Sequence, residues 1–142
     1  LEPFHGAPMP FDTILDAFHY VSDALPGERR AVVHRRTGQV FLASLKAGYD
    51  ERPVGAESDP DYVSLPHRRE LDPGKQSVLE FVQSHCPAER ARAEGFFARP
   101  GAYRNVRELL RRRQLLESWQ VFEEQQIESL LREWCAARDL PL

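Results

Sequence analysis

Residues 31–44 read Ala31-Val32-Val33-His34-Arg35-Arg36-Thr37-Gly38-Gln39-Val40-Phe41-Leu42-Ala43-Ser44, and this stretch decides the fold class. Two β-rich runs, Ala31 to His34 and Gln39 to Ser44, flank Arg35-Arg36-Thr37-Gly38. A glycine closing such a connection suits a type I turn that ends in a left-handed residue, so a hairpin is predicted. Upstream, Phe11, Ile14, Leu15, Phe18, Val21 and Leu25 recur at steps of three and four, the signature of one apolar helical face. Pro10 and Asp12 open that helix, Asp12 as its cap, and Pro26-Gly27 stops it. Downstream, Gly48, Pro53, Gly55 and Pro60 punctuate residues 46–60, which read as an irregular acidic loop. Tyr62-Val63-Ser64-Leu65 forms a third short strand that Pro66 ends. One helix and three strands are enough to close a small α+β layer.

From Asp72 the period becomes helical. Asp72-Pro73 is a cap followed by proline at the first helical position, where no amide hydrogen is missed. Val78, Phe81, Val82 and His85 share a face, and Pro87 restarts the chain. Further helices are expected over 94–98, 102–113 and 115–137, the last with Leu115, Trp119, Phe122, Leu130 and Trp134 near one face. The fold class is therefore α+β: an N-terminal helix and a three-stranded antiparallel sheet, packed with a C-terminal bundle of about four helices.

With 142 residues, 42% hydrophobic and 29% charged, the chain has the composition of one globular domain. Met9-Pro10-Phe11-Asp12 reads as a natural start, so Leu1 to Pro8 is expected to be an added remnant or a loose extension. The domain then covers 9–142, with an α+β half (9–70) and a helical half (71–142) sharing one core. The net charge of −3 is too small for wholesale coating of nucleic acid, so any such binding needs a local patch. No apolar run approaches the roughly 18 residues of a membrane span, and no secretory signal is visible. Two cysteines, Cys86 and Cys135, do not make a disulfide framework, which favours a reducing cytoplasm with both thiols packed as small hydrophobes.

The residues that suggest chemistry mostly have a plainer reading. Gly74-Lys75-Gln76-Ser77 evokes a phosphate loop, but Arg69 and Gln76 stand where the motif wants Gly and Ser or Thr, and no strand precedes it. His85 and Cys86 are adjacent and so diverge by about 100° on a helix, while His5, His34 and His67 have no partner at metal-ligand spacing. Arg29 and His34 have the spacing of some helical ribonuclease motifs but fall in a hairpin, where odd and even positions face opposite ways. No nucleophile elbow exists, and neither cysteine is expected to have a basic environment that lowers its pKa. Catalytic residues, cofactor and metal are accordingly all expected to be none. Trp119, Trp134, Phe122 and Tyr103 are spaced as helical core.

The strongest surface feature is basic. Between Arg90 and Arg113 stand eight arginines and only two acids, Glu94 and Glu108. Arg104, Arg107 and Arg111 form a stripe opposite Tyr103, Val106, Leu109 and Leu110, with Arg112 beside it. Such a stripe can grip phosphates. Equally, the following helix carries Glu117, Glu124 and Glu128 at compatible steps, so the two helices can simply pair across their groove. Arg35 and Arg36 at the hairpin tip and Arg68 after the third strand could extend a basic surface.

Several motifs are shared with one family. Arg36-Thr37-Gly38-Gln39-Val40, Leu65-Pro66-His67, Leu71-Asp72-Pro73-Gly74-Lys75 and the Phe81-Val82 helix resemble a small bacterial protein family whose activity is not established. The block from Phe96 to Tyr103, then Val106-Arg107, Leu109-Leu110, Trp119, Phe122 and Arg132-Glu133-Trp134-Cys135, is similar to that family's Gly-Ala-aromatic turn, Trp-x-x-Phe pair and closing Trp. The resemblance covers about Phe11 to Leu140. It departs at His34-Arg35, where an acidic residue is expected, which makes this hairpin tip more basic. The resemblance implies a compact bacterial cytoplasmic protein and carries no catalytic residues over. The reading that follows is a non-enzymatic binding or regulatory module docking on a protein partner. The alternative is binding of nucleic acid or another polyanion through the arginine helix.

Overall fold

A computed structural model describes residues 9–142; the expected remnant at Leu1 to Pro8 lies outside the described residues. The chain divides into two compact units, residues 9–72 with Leu130–Leu142, and Pro73–Ser129.

The first unit has helix α1 (Phe11–Ser22) and strands β1 (Arg29–His34), β2 (Val40–Ser44), β3 (Tyr49–Asp50) and β4 (Tyr62–Ser64). All pairings are antiparallel and the order is β3-β2-β1-β4. The predicted hairpin is present, with Gly38 at φ +74° closing its connection. The sheet has four strands rather than three. The loop over 46–60 contains β3, where Ala43 and Ser44 pair with Asp50 and Tyr49, together with a 3-10 turn at Ala56–Ser58. A two-residue strand has no periodicity of its own and exists only through that pairing.

Alternation divides the sheet into two faces. Arg29 lies with its guanidinium 4.8 Å over the Tyr20 ring and donates to the Tyr20 carbonyl at 3.0 Å, so the Arg29, Ala31, Val33 face turns toward α1. There Ile14, Ala17, Phe18 and Val21 of α1 and Ala31 and Val33 of β1 are buried. Each large side chain so buried contributes roughly 1.5–3 kcal/mol. Leu25, expected on the α1 face, follows the helix end and is 66% exposed. Pro10 rather than Asp12 occupies the cap position, which leaves Asp12 in the first turn, where a negative charge suits the helix dipole.

His67 is buried and ties the 3-10 turn Arg68–Leu71 to the rest of this unit. Its Nδ1 accepts from the Arg69 amide at 3.0 Å, its Nε2 lies 2.8 Å from the Ala24 carbonyl, and its own amide donates to Glu70 at 2.9 Å. The chain end closes the unit. The Met9 amide donates to the Pro141 carbonyl at 2.7 Å, and Leu140 is buried.

The second unit holds α2 (Gly74–His85), α3 (Arg90–Phe96), α4 (Ala102–Arg112) and the first part of α5 (Leu116–Ala137). Val78, Leu79, Phe81, Val82, Ala93, Val106, Leu110 and Trp119 make its core, with Phe122 and Tyr103 packed at the edge. The four expected helices are thus present, although α3 covers Arg90–Phe96 rather than 94–98, following directly on a 3-10 turn at Pro87–Glu89. Gly74 opens α2 at φ +80° after a 3-10 turn, not after a strand, so the phosphate-loop architecture is absent there.

Candidate functional site

Helix α4 is the basic element. It starts from Gly101 at φ +81°, where a Cβ would meet the Arg104 guanidinium at 3.2 Å, so the glycine both turns the chain and admits that arginine. Val106, Leu109 and Leu110 are buried and Tyr103 is half-buried, edge-on to Phe97 at 5.5 Å, as the apolar periodicity predicts. The opposite side presents Arg104, Arg107, Arg111 and Arg112 to solvent.

These four differ in how they are held. Arg111 and Arg112 both bind Glu108 of the same helix, Arg112 at 3.2 Å. They remain 63% and 66% exposed at the side chain, and such exposed pairs are worth below about 1 kcal/mol. They also sit in the last turn, where cations complement the helix dipole. Arg113, next in the chain, binds Glu89 at 2.6 Å. Arg104 and Arg107 make no ion pair or hydrogen bond through their side chains among the described residues. The ion pairs of Arg111, Arg112 and Arg113 thus run to Glu108, one of the two acids within the arginine stretch, and to Glu89, which the sequence pattern did not single out.

The other arginines fall in the first unit. Arg35 is largely consumed by structure. Its Nη1 donates to the Pro60 carbonyl, its Nε and Nη2 donate to the Arg138 carbonyl at 3.3 and 2.9 Å, and Asp61 lies 3.5 Å away. Arg36 faces the same Asp61 at 3.6 Å and is 62% exposed. Arg68 is half-buried with its guanidinium 5.9 Å from the Phe18 ring centroid. Within this unit, then, Arg36 is the most solvent-directed of the three.

Both cysteines are buried free thiols, and burial raises both, Cys135 to about 11. Arg29 and His34 lie on opposite sheet faces, as their odd separation requires. Among the described residues no group of three or more His, Cys, Asp or Glu could hold a metal ion. No helix among them is long and apolar enough to cross a membrane.

One surface escaped the sequence pattern. The face of the sheet turned away from α1 carries Arg30, Val32 and His34 from β1, Phe41 from β2 and Tyr62 and Ser64 from β4. Alternation within each strand was readable. That three separate strands bring these residues together was not, because it depends on register.

The fold and these surfaces define an α+β protein with a basic helix and an open sheet face. No protein-family model matches the chain, and no solved structure matches it. Over 94 residues it is 34% identical to a tRNA dimethylallyltransferase of Burkholderia multivorans (strain ATCC 17616 / 249). That alignment takes in 66% of this chain and 28% of the relative, so the chain spans less than a third of the relative's length.

Proposed function

We propose that this protein is a binding module whose α4 face docks on a polyanion, with RNA as the first ligand to test. The observation that carries the reading is the pair Arg104 and Arg107, exposed on one helix face without a carboxylate partner among the described residues. Guanidinium groups left open in this way are complementary to phosphate oxygens, and each phosphate they grip adds to the salt dependence of binding. The partial likeness to a protein named for tRNA supports RNA over other polyanions. Glu108 acts against binding, because it occupies Arg111 and Arg112.

The test is fluorescence anisotropy with labelled RNA at two salt concentrations. Replacing Arg104 and Arg107 together by Ala should leave the fold intact and weaken binding. It should also reduce the slope of log K against log salt by about 0.7–0.9 for each phosphate that is no longer neutralised. Glu108→Gln should do the opposite, because it releases two guanidinium groups. Binding that is unaffected by either change overturns the reading.

Docking on a protein partner is favoured by a different observation. Leu25 and Leu45 are 66% and 80% exposed, and both are hydrogen-bonded to Glu28 through the backbone, the Glu28 amide to the Leu25 carbonyl at 3.0 Å and the Leu45 amide to the Glu28 carbonyl at 2.9 Å. A pull-down that survives nuclease treatment and is abolished by Leu25→Ser with Leu45→Ser supports that reading. A pull-down abolished by nuclease instead supports the α4 reading.

A further inference from the structure

The open face of the sheet carries a groove that the arginine helix does not use. The β1–β4 register sets Arg30 and Val32 beside Tyr62 and Ser64, and residues 52–57 rise beside them as a wall. The cavity measures about 470 Å³, within the roughly 300–1,000 Å³ of small-molecule sites. Val32 and Ala56, each only 6% exposed, are among its apolar lining groups. The Tyr62 ring that lines it is flanked on the same sheet face, edge-on to His34 at 4.8 Å and tilted against Phe41 at 5.9 Å. An aromatic ring held on a strand in this way is a preformed stacking surface.

The polar groups in the groove are unequal. Arg52 is committed to Asp50 through two side-chain bonds of 2.9 and 2.7 Å. Arg30, whose charge is felt by Asp50, and the Ser64 hydroxyl, by contrast, make no hydrogen bond or ion pair among the described residues. The groove therefore offers a guanidinium and a hydroxyl that make no hydrogen bond, a packed ring and apolar groups beside them. Asp50 and Glu57 on its rim repel a heavily charged ligand. A flat ring carrying one anionic group fits this set, whereas an aliphatic acid wastes the ring and a polyphosphate meets the rim carboxylates.

We propose that this groove binds a nucleoside monophosphate unit, its base against Tyr62 and its phosphate on Arg30, either as a free nucleotide or as an unpaired residue of an RNA strand. The proposal does not rest on the α4 reading, and either can fail alone. The full chain, labelled with nitrogen-15, is titrated with AMP, adenosine and inorganic phosphate while amide shifts are followed. AMP should give saturable shifts confined to residues 30–32, 52–57 and 62–64, with adenosine and phosphate each at least about tenfold weaker, the share expected of one charge-assisted hydrogen bond or one stacked ring. Arg30→Ala, on an exposed side chain, should weaken AMP by about tenfold or more and leave adenosine unchanged. Tyr62→Leu should weaken AMP and adenosine together, and Tyr62→Phe, which keeps the ring, should restore both. A short oligoadenylate that competes better than AMP assigns the unit to an RNA strand, and one that competes no better assigns it to a free nucleotide. AMP shifts that do not saturate or lie elsewhere, AMP affinity unchanged in Arg30→Ala, or phosphate alone binding as well as AMP each overturn the proposal.

Discussion

Asp50 shows how one neighbour can set the ionisation of a residue. Its carboxylate receives the Arg52 guanidinium and the Arg52 amide, and these hold its pKa at about 2, below the ordinary 3.8. A carboxyl whose folded pKa is depressed stabilises the native state above its unfolded value and loses that contribution as the pH falls through the folded one. The window here runs from about pH 4 to about pH 2. Carbon-detected titration should place the Asp50 midpoint near 2, and Arg52→Ala should return it toward 3.8; a midpoint that stays put shows that Arg52 is not the cause. Cys135 has the opposite sign. Burial lifts its thiol from 9.0 to about 11, so the neutral form is favoured and its contribution disappears as the pH rises through that range. The native protein should therefore leave Cys135 unmodified by thiol reagents at pH 8, and labelling as fast as in the unfolded chain contradicts its burial.

At the scale of elements, the two tryptophans separate although their spacing reads alike. Trp119 is 4% exposed and packs against Phe81 and Phe122 at 5.4 and 5.8 Å, a core position as expected. Trp134 is only half-buried and lies under Arg138, whose guanidinium is 3.9 Å from the ring centroid. Trp119→Ala should cost about 3–5 kcal/mol through the cavity it leaves. Trp134→Ala should cost about 1–2 kcal/mol, from partial burial and a cation–π interaction. Denaturant midpoints followed by circular dichroism measure both, and equal losses contradict the difference in burial. Helical period identifies which residues share a face, but not whether another element covers that face. For the same reason α1 and α4 were legible from Ile14, Phe18, Val106 and Leu110, and the hairpin from Gly38 and its flanking β-rich runs. Strand β3 was not, because Tyr49 and Asp50 acquire their conformation only by pairing with Ser44 and Ala43. The arginine helix was visible as composition. The fate of each arginine was not, since Arg35 is consumed by the carbonyls of Pro60 and Arg138, far away in sequence.

For the molecule as a whole, the chain's last residues return to its first unit. Residues Leu130–Leu142 belong with the sheet, although residues 116–129 of the same helix belong to the helical unit. Several interactions account for this. Leu131 and Cys135 are fully buried and Leu140 is 3% exposed. The Arg132 guanidinium lies 3.8 Å over the Phe11 ring, the Arg138 carbonyl receives Arg35, and the Pro141 carbonyl receives the Met9 amide. Asp139 is held at φ +57°, so the turn that aims Leu140 inward is mildly strained and depends on that burial to persist. Leu140→Ala removes the anchor and should cost about 2–5 kcal/mol, as for other fully buried leucines. The loss should be uneven, because local openings follow cooperative units rather than secondary-structure elements. Amide hydrogen exchange in the variant should accelerate over 131–137 and through β1 and α1, while 119–129 and α2 keep their protection. Acceleration spread evenly along α5 would mean that the helix opens as one element and that the division at residue 130 has no energetic counterpart. Exchange confined to the first unit would establish that the C-terminal segment stabilises the sheet, and with it the groove beside Arg30, without involving the arginine helix.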